Sequence, residues 1–169
     1  LTYPIKNLVL PNIIEKFSID YFHILGDLLG IGTYVHNDIT LNYLRVNGKV
    51  NLRRMQVNGS LNINQVFIRR DFFCDHNRVE GFGKFNDIEV EGMTDFTETT
   101  ILEVADFSGA KFKKDAYFRD ANFEQVVDLT GVEVNGYADF TNMRVGELLS
   151  LEDAVIEKCD CKGLAVQSY

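Results

Sequence analysis

Tryptophan is absent from the chain, and its only prolines, Pro4 and Pro11, stand near the start. Cysteine is scarce. Cys74, Cys159 and Cys161 are odd in number and two are one residue apart, which is not the framework of a disulfide-stapled secreted domain. The pair in Cys159-Asp160-Cys161 has no second pair and no histidine at finger spacing, so neither a metal site nor a cofactor is expected. A reducing, cytoplasmic setting is the default expectation. No uninterrupted apolar run reaches the length of a membrane span, because Asp20, His23 and Asp27 break the most hydrophobic region. No basic leader with a cleavage site is visible, although a chain beginning at Leu1 leaves a preceding segment open.

Positive charge is short as well. Lys and Arg number 17 against 25 Asp and Glu, a net charge of -8. An acidic chain does not seek phosphate, so direct nucleic-acid binding is not expected. It could compete with nucleic acid for a basic partner. Enzyme signatures are missing too. His23, His36 and His76 are too scattered for a relay, and GxxxxGK[ST], HExxH and GxSxG do not occur. The hexapeptide coil of sugar acyltransferases does not fit the spacing, and no outward ladder of threonine suits an ice-binding face. The chain is expected not to be an enzyme.

What is present in quantity is phenylalanine, thirteen in 169 residues. In "ADFSGAKFKKDAYFRDANF", residues 105–123, the rings stand at Phe107, Phe112, Phe118 and Phe123. A helix face returns every three or four residues and a strand face every two, so neither accounts for these steps. The spacing extends along the chain. Steps of eleven from Phe107 meet Phe118, Leu129, Phe140 and Leu151 forward, and Phe96, Phe85, Cys74, Ile63, Leu52 and Leu41 backward. A second series from Val46 runs through Val57, Ile68, Val79, Val90, Ile101, Phe112, Phe123, Val134 and Val145 to Ile156. Such regularity is far beyond chance at a hydrophobic content of 46%.

The residues two places before each series are mostly apolar too, and small where the neighbour is Phe. Positions i and i-2 share one side of an extended segment. Each eleven-residue unit therefore carries two short extended stretches with two inward side chains apiece. Gly48, Gly59, Gly81, Gly92 and Gly136 share one corner column, and Gly109 and Gly131 another, where glycine would accept positive φ. The solution is a β-solenoid, with a turn of two units and four faces. A turn of one unit and two faces is the thinner alternative. The expected core includes Phe85, Phe96, Phe107, Phe112, Phe118, Phe123 and Phe140.

ADFSGAKF, AYFRDANF and YADFTNMRV resemble pentapeptide-repeat proteins, whose A-[DN]-[LF]-x-x motif builds a right-handed, four-sided β-helix. The eleven-residue spacing is similar to a Phe-rich branch of that family. The resemblance covers residues 37–157 and is specific for architecture. It implies a rigid, non-catalytic interaction or structural scaffold with an unidentified protein partner, and raises end-to-end homodimerisation. It also raises an acidic DNA mimic acting on a topoisomerase, as some members are held to act on gyrase. An accessory domain of a larger enzyme is the third possibility.

Residues 1–36 read as an N-terminal cap. Asn12 with Glu15 has capping-box spacing, and Ile14, Phe17, Tyr21, Leu25 and Leu28 form a stripe, which favours a helix over 12–30 ended by Gly30. The rival is that coils continue, since Ile13, Ile19, Ile24 and Val35 also fall on the grid. Residues 158–169 read as a tail that finishes the last coil or pairs with a second copy.

One stretch, "QVFIRRDFFCDHNRVEG", breaks the pattern. Phe67 and Phe73 take outward positions and Asn77 an inward one, while Arg69 and Arg70 replace Asn-Gly. These four aromatic and basic residues are a candidate partner patch, or the stretch is a small loop that leaves the coil, or else the two rings pack on the N-terminal segment. Cys74 with Asp75 and His76 reads as a core residue rather than a nucleophile. Charge is uneven: residues 38–80 hold seven basic and four acidic side chains, and residues 81–158 seven and seventeen. Asp95, Asp106, Asp128 and Asp139 each precede a first-series residue and are expected to point outward. They are the candidates for an acidic interaction face, or else simply solubilising charge.

Overall fold

A computed structural model of the chain describes residues 4–167. Every regular element in it is a β-strand, mostly of two residues, and every pairing is parallel. Through most of the chain the partners lie two units apart: Gln56 beside Arg78, Leu61 beside Gly83, Phe67 beside Glu89, Phe72 beside Thr94. One turn is therefore two units, and the thinner turn of a single unit is excluded. The chain coils through about seven turns as an all-β parallel solenoid.

Four ladders form the four faces. Face A stacks Leu28–Leu29, Val50–Asn51, Phe72–Phe73, Thr94–Asp95 and Ala116–Tyr117; face B stacks Tyr34–Val35, Gln56–Val57, Arg78–Val79, Thr100–Ile101, Asn122–Phe123 and Arg144–Val145. Face C stacks Phe17–Asp20, Ile39–Asn42, Leu61–Asn62, Gly83–Lys84, Ala105–Asp106, Val127–Asp128 and Leu149–Ser150; face D stacks His23–Ile24, Arg45–Val46, Phe67–Ile68, Glu89–Val90 and Lys111–Phe112. A longer strand, Glu133–Asp139, runs across the corner from D to A. Two-residue strands suffice because each backbone group pairs with the coil above or below, which leaves few buried amides unmet.

Four side chains per unit point inward, as at Ile39, Leu41, Leu44 and Val46, all buried. The seven expected core phenylalanines are buried as well. Rings one full coil apart stack face to face: Phe85 on Phe107 with centroids 5.0 Å apart, and Phe96 on Phe118 at 5.4 Å. Rings half a coil apart meet edge to face, as Phe96 and Phe107 do at 5.0 Å. Both arrangements suit the ring quadrupole. Each Phe has a small companion two residues earlier: Gly83, Thr94, Ala105, Ala116 and Ala138. A Cβ on Gly83 would already meet the Cδ1 of Ile101. At 72–74 the order is reversed. Phe72 fills the small place and Cys74 the large one, so cross-section volume is kept.

Residues 12–30 do not form a helix. The ladders continue through them as Ile13–Ile14, Phe17–Asp20, His23–Ile24 and Leu28–Leu29. Tyr21 and Leu25 of the expected stripe are 68% and 48% exposed, whereas Ile24 and Leu28 are fully buried. The coil is shorter here: Ile13 pairs with Tyr34, one position short of two full units, and Leu8 pairs with Leu28, two positions short. In consequence Ile14, not Ile13, points inward. Gly30 is an inward position, where a Cβ would meet Leu10 and Leu52 at 2.8 and 2.9 Å. At the other end Val155–Asp160 pairs on Glu133–Asp139, and Ala165–Val166 on Arg144–Val145. Residues 1–3 of the expected cap and 168–169 of the tail lie outside the described residues.

The two glycine columns do different things. Positive φ recurs once per unit from Tyr21 through Gly32, Tyr43, Arg54, Gln65, His76, Asp87 and Glu98 to Gly109, Asp120, Gly131, Asn142 and Asp153. That is the column of Gly109 and Gly131. The column of Gly48 and its fellows has no positive φ and is glycine because the previous coil lies too close.

Candidate interaction surface

Face D and its two corners gather the unusual surface residues of the early coils. Phe67 stands outward on face D directly above Arg45, whose guanidinium carbon lies 4.5 Å from the ring centroid. At the preceding corner Tyr21 and Tyr43, one coil apart, stack in parallel at 4.5 Å. An open groove of about 440 Å³ runs between them, bordered by Tyr21, His23, Tyr43, Arg45, Gln65 and Phe67. At the following corner Arg69 and Arg70 are exposed. Around that corner Phe73 stands outward on face A, with Arg53 at 4.1 Å over its ring. Phe67, Arg69, Arg70 and Phe73 thus lie on one coil across adjacent faces. An arginine covers each ring, a contact worth about 0.5–1 kcal/mol at exposed sites, and Phe67 shares its groove with Tyr21 and His23 of the N-terminal segment.

Behind this surface lies a polar knot. Arg53 Nε donates to Asp75 Oδ1, Arg53 also reaches Asp95 at 3.7 Å, and His76 Nδ1 lies 2.8 Å from Asp75 Oδ2. Asp75 is buried and answered from both sides. Cys74 points the other way, into the core, and burial drives its thiol pKa far above the ordinary value, with Asp75 and Asp95 adding to the rise against the Asn77 hydrogen bond. It carries no thiolate for attack or ligation. Asn77 is inward and satisfied: its Oδ1 accepts the Met55 N–H at 2.7 Å, and its Nδ2 donates to the Cys74 sulfur. Thr99 donates to the Cys74 carbonyl at 2.6 Å. Among the described residues no group of three or more His, Cys, Asp or Glu converges to hold a metal.

The four outward aspartates do not make one strip. Asp95 and Asp139 lie on face A, and Asp106 and Asp128 on face C, two faces away around the coil. Each turns back on its own corner. Their Oδ1 atoms accept the N–H groups of Thr97, Thr141, Ser108 and Thr130, two residues on, at 2.9–3.0 Å. Asp139 is fully buried under Arg119, whose Nη2 reaches its Oδ2 at 2.6 Å. These are turn acceptors first and surface charges second.

The segment Ala105-Asp106-Phe107-Ser108-Gly109 now explains itself. Ala105 is the small inward residue, Asp106 holds the turn, Phe107 fills the core, and Gly109 takes a φ of 67°. A family model described as pentapeptide repeats, nine copies, matches residues 84–122 and 96–144, on the coils just described. Residues 84–144 are pentapeptide repeats. No curated protein and no solved structure matches the chain. The matched coils are the Phe-stacked ones, while the aromatic and arginine surface lies before them in Tyr21–Phe73, where the core is mostly aliphatic.

Sequence reasoning singled out Phe67, Arg69, Arg70 and Phe73 but missed Tyr21, Tyr43, Arg45 and Arg53. The missing signal was the coil length. Tyr21 with Tyr43, and Arg45 with Phe67, stand one coil apart and become neighbours only when the period is fixed.

Proposed function

We propose that this protein is a non-catalytic interaction scaffold, whose partner meets the aromatic and arginine surface of the early coils. One observation carries this reading: Tyr21, Tyr43, Phe67 and Phe73 are held outward beside Arg45, Arg53, Arg69 and Arg70 on a backbone fixed by the coils on either side. Aromatic and Arg side chains on a rigid support are the usual anchors of protein interfaces. The family is generally non-enzymatic, and the one cysteine near a histidine is sealed in the core.

The acidic mimic of DNA draws less support. Its four expected aspartates are divided between two faces and bound into turns, which leaves exposed glutamates such as Glu91, Glu98 and Glu124 to carry it.

The test is affinity capture from a lysate of the source at near-physiological salt. Three chains are compared: the parent, Phe67→Ser with Arg69→Ser and Arg70→Ser, and Glu91→Gln with Glu98→Gln and Glu124→Gln. Circular dichroism confirms that each is folded. A protein retained by the parent and the Gln variant but lost by the Ser variant supports the scaffold. A topoisomerase retained by the parent and the Ser variant but lost by the Gln variant overturns it in favour of mimicry.

A further inference from the structure

Cys159 and Cys161 lie on the strand and turn that finish the last full coil. Cys159 pairs with Ala138, and the Phe140 N–H donates to the Asp160 carbonyl at 2.8 Å. The two cysteines therefore continue the inward columns of Ala116 and Ala138, and of Phe118 and Phe140. Lower coils bury those columns completely or nearly so. Here both thiols are exposed, because among the described residues no strand pairs on the far side of Val155–Asp160.

Their geometry is specific. Residues i and i+2 point the same way from an extended chain, and the two sulfurs stand 3.8 Å apart. Sulfurs at about 2.3 Å from a tetrahedral zinc ion are separated by about 3.8 Å, so the pair already spans one edge of such a tetrahedron. The pair is also held in place. Asp160, between them, points away, and its Oδ1 accepts the Lys162 N–H at 2.8 Å. The Leu164 N–H donates to the Cys161 carbonyl at 3.0 Å. Little reorganisation stands between this arrangement and a chelate.

We propose that Cys159 and Cys161 are half of a tetrahedral thiolate site for a divalent cation of the zinc class, completed by the same two residues of a second copy. Among the described residues, one chain brings no third such ligand to the pair. A two-fold contact between copies brings identical groups together, so two chains supply four sulfurs. The surface around the pair suits such a contact. Leu148, Leu151, Val155 and Val166 are 47–61% exposed at this end of the coil. Metal binding releases the two thiol protons of each chain, and the positive ion compensates the thiolates so formed.

The experiment titrates zinc, and separately cobalt as a spectroscopic stand-in, into the full chain kept reduced with a phosphine. Expected are a cobalt–thiolate absorption band of tetrahedral type, saturation at half a metal ion per chain, and a doubling of mass in sedimentation that a chelator reverses. Cys159→Ser and Cys161→Ser each abolish the band and the doubling while leaving the circular dichroism unchanged. Three results overturn the site: no cobalt–thiolate band, a band that survives both substitutions, or saturation at one ion per chain with no change in mass.

Discussion

Gly92 sits directly over the carboxylate of Asp71, one coil before it. Asp71 Oδ1 accepts the Met93 N–H at 2.9 Å, and a Cβ on Gly92 would meet that oxygen and the Arg70 backbone. The relationship recurs along the corner. Asp27, Asp38, Ser60 and Asp115 accept the N–H groups of Lys49, Ser60, Phe82 and Tyr137, and Gly48, Gly59, Gly81 and Gly136 lie over them. Where the residue one coil back offers no acceptor, as at Lys49, Phe82 and Met93, the place over it holds Arg70, Glu103 and Lys114. This explains why Arg70 interrupts a glycine column: Lys49 beneath it makes no such bond.

The two halves of this relationship are expected to be coupled. Gly92→Ala should destabilise by roughly 1–3 kcal/mol through overpacking, and Asp71→Ala by about 1 kcal/mol through the lost hydrogen bond. The double variant should lose less than the sum, since the oxygen in the way has gone. Urea unfolding of the four chains in a double-mutant cycle measures this. Strict additivity would contradict it.

Phe72 and Cys74 are expected to compensate in volume. Cys74→Phe alone should overpack its coil, at roughly 1–3 kcal/mol. Phe72→Ala alone should leave a cavity, at roughly 3–5 kcal/mol. Together they recreate the small-then-Phe order of the later coils, as at Ala105 and Phe107. Thermal unfolding should therefore place the double variant above either single one.

Asp139 should contribute an acid-sensitive share of stability. Burial raises its pKa, but the Thr141 hydrogen bonds and Arg119 outweigh that and leave it below the ordinary carboxylate value. A carboxyl whose folded pKa lies below its unfolded one stabilises the fold above the unfolded value. That stability is lost as pH falls through the folded pKa. The unfolding free energy of the parent should fall between about pH 4 and lower values more steeply than that of Asp139→Asn. Parallel curves would contradict the assignment.

The repeat was legible because inward positions recur at fixed steps and are insensitive to which apolar residue fills them. Phe107, Phe118 and Val134 needed only to be apolar to be read. The first coils were misread because their steps shorten by a position or two, which moves Ile14 inward in place of Ile13 and leaves a stripe that imitates a helix. Asp71 with Gly92 and Arg45 with Phe67 were not legible, since each pair joins residues about one coil apart and says nothing until the coil length is known. The role of Asp106 was hidden for a different reason: an outward charge and a turn acceptor are the same residue type at the same place.

Every assignment of residues to a shared face rests on the two-unit turn, and cross-linking tests it most directly. Thr100 and Asn122 are outward partners on adjacent coils of face B, whereas Lys111 lies midway along the chain on face D. In a background with Cys159 and Cys161 changed to Ser, cysteines are placed at 100 and 122, or at 100 and 111. The expected result is rapid disulfide formation in the first chain and none in the second. Cross-linking of 100 to 111 and not to 122 would contradict the four-sided coil.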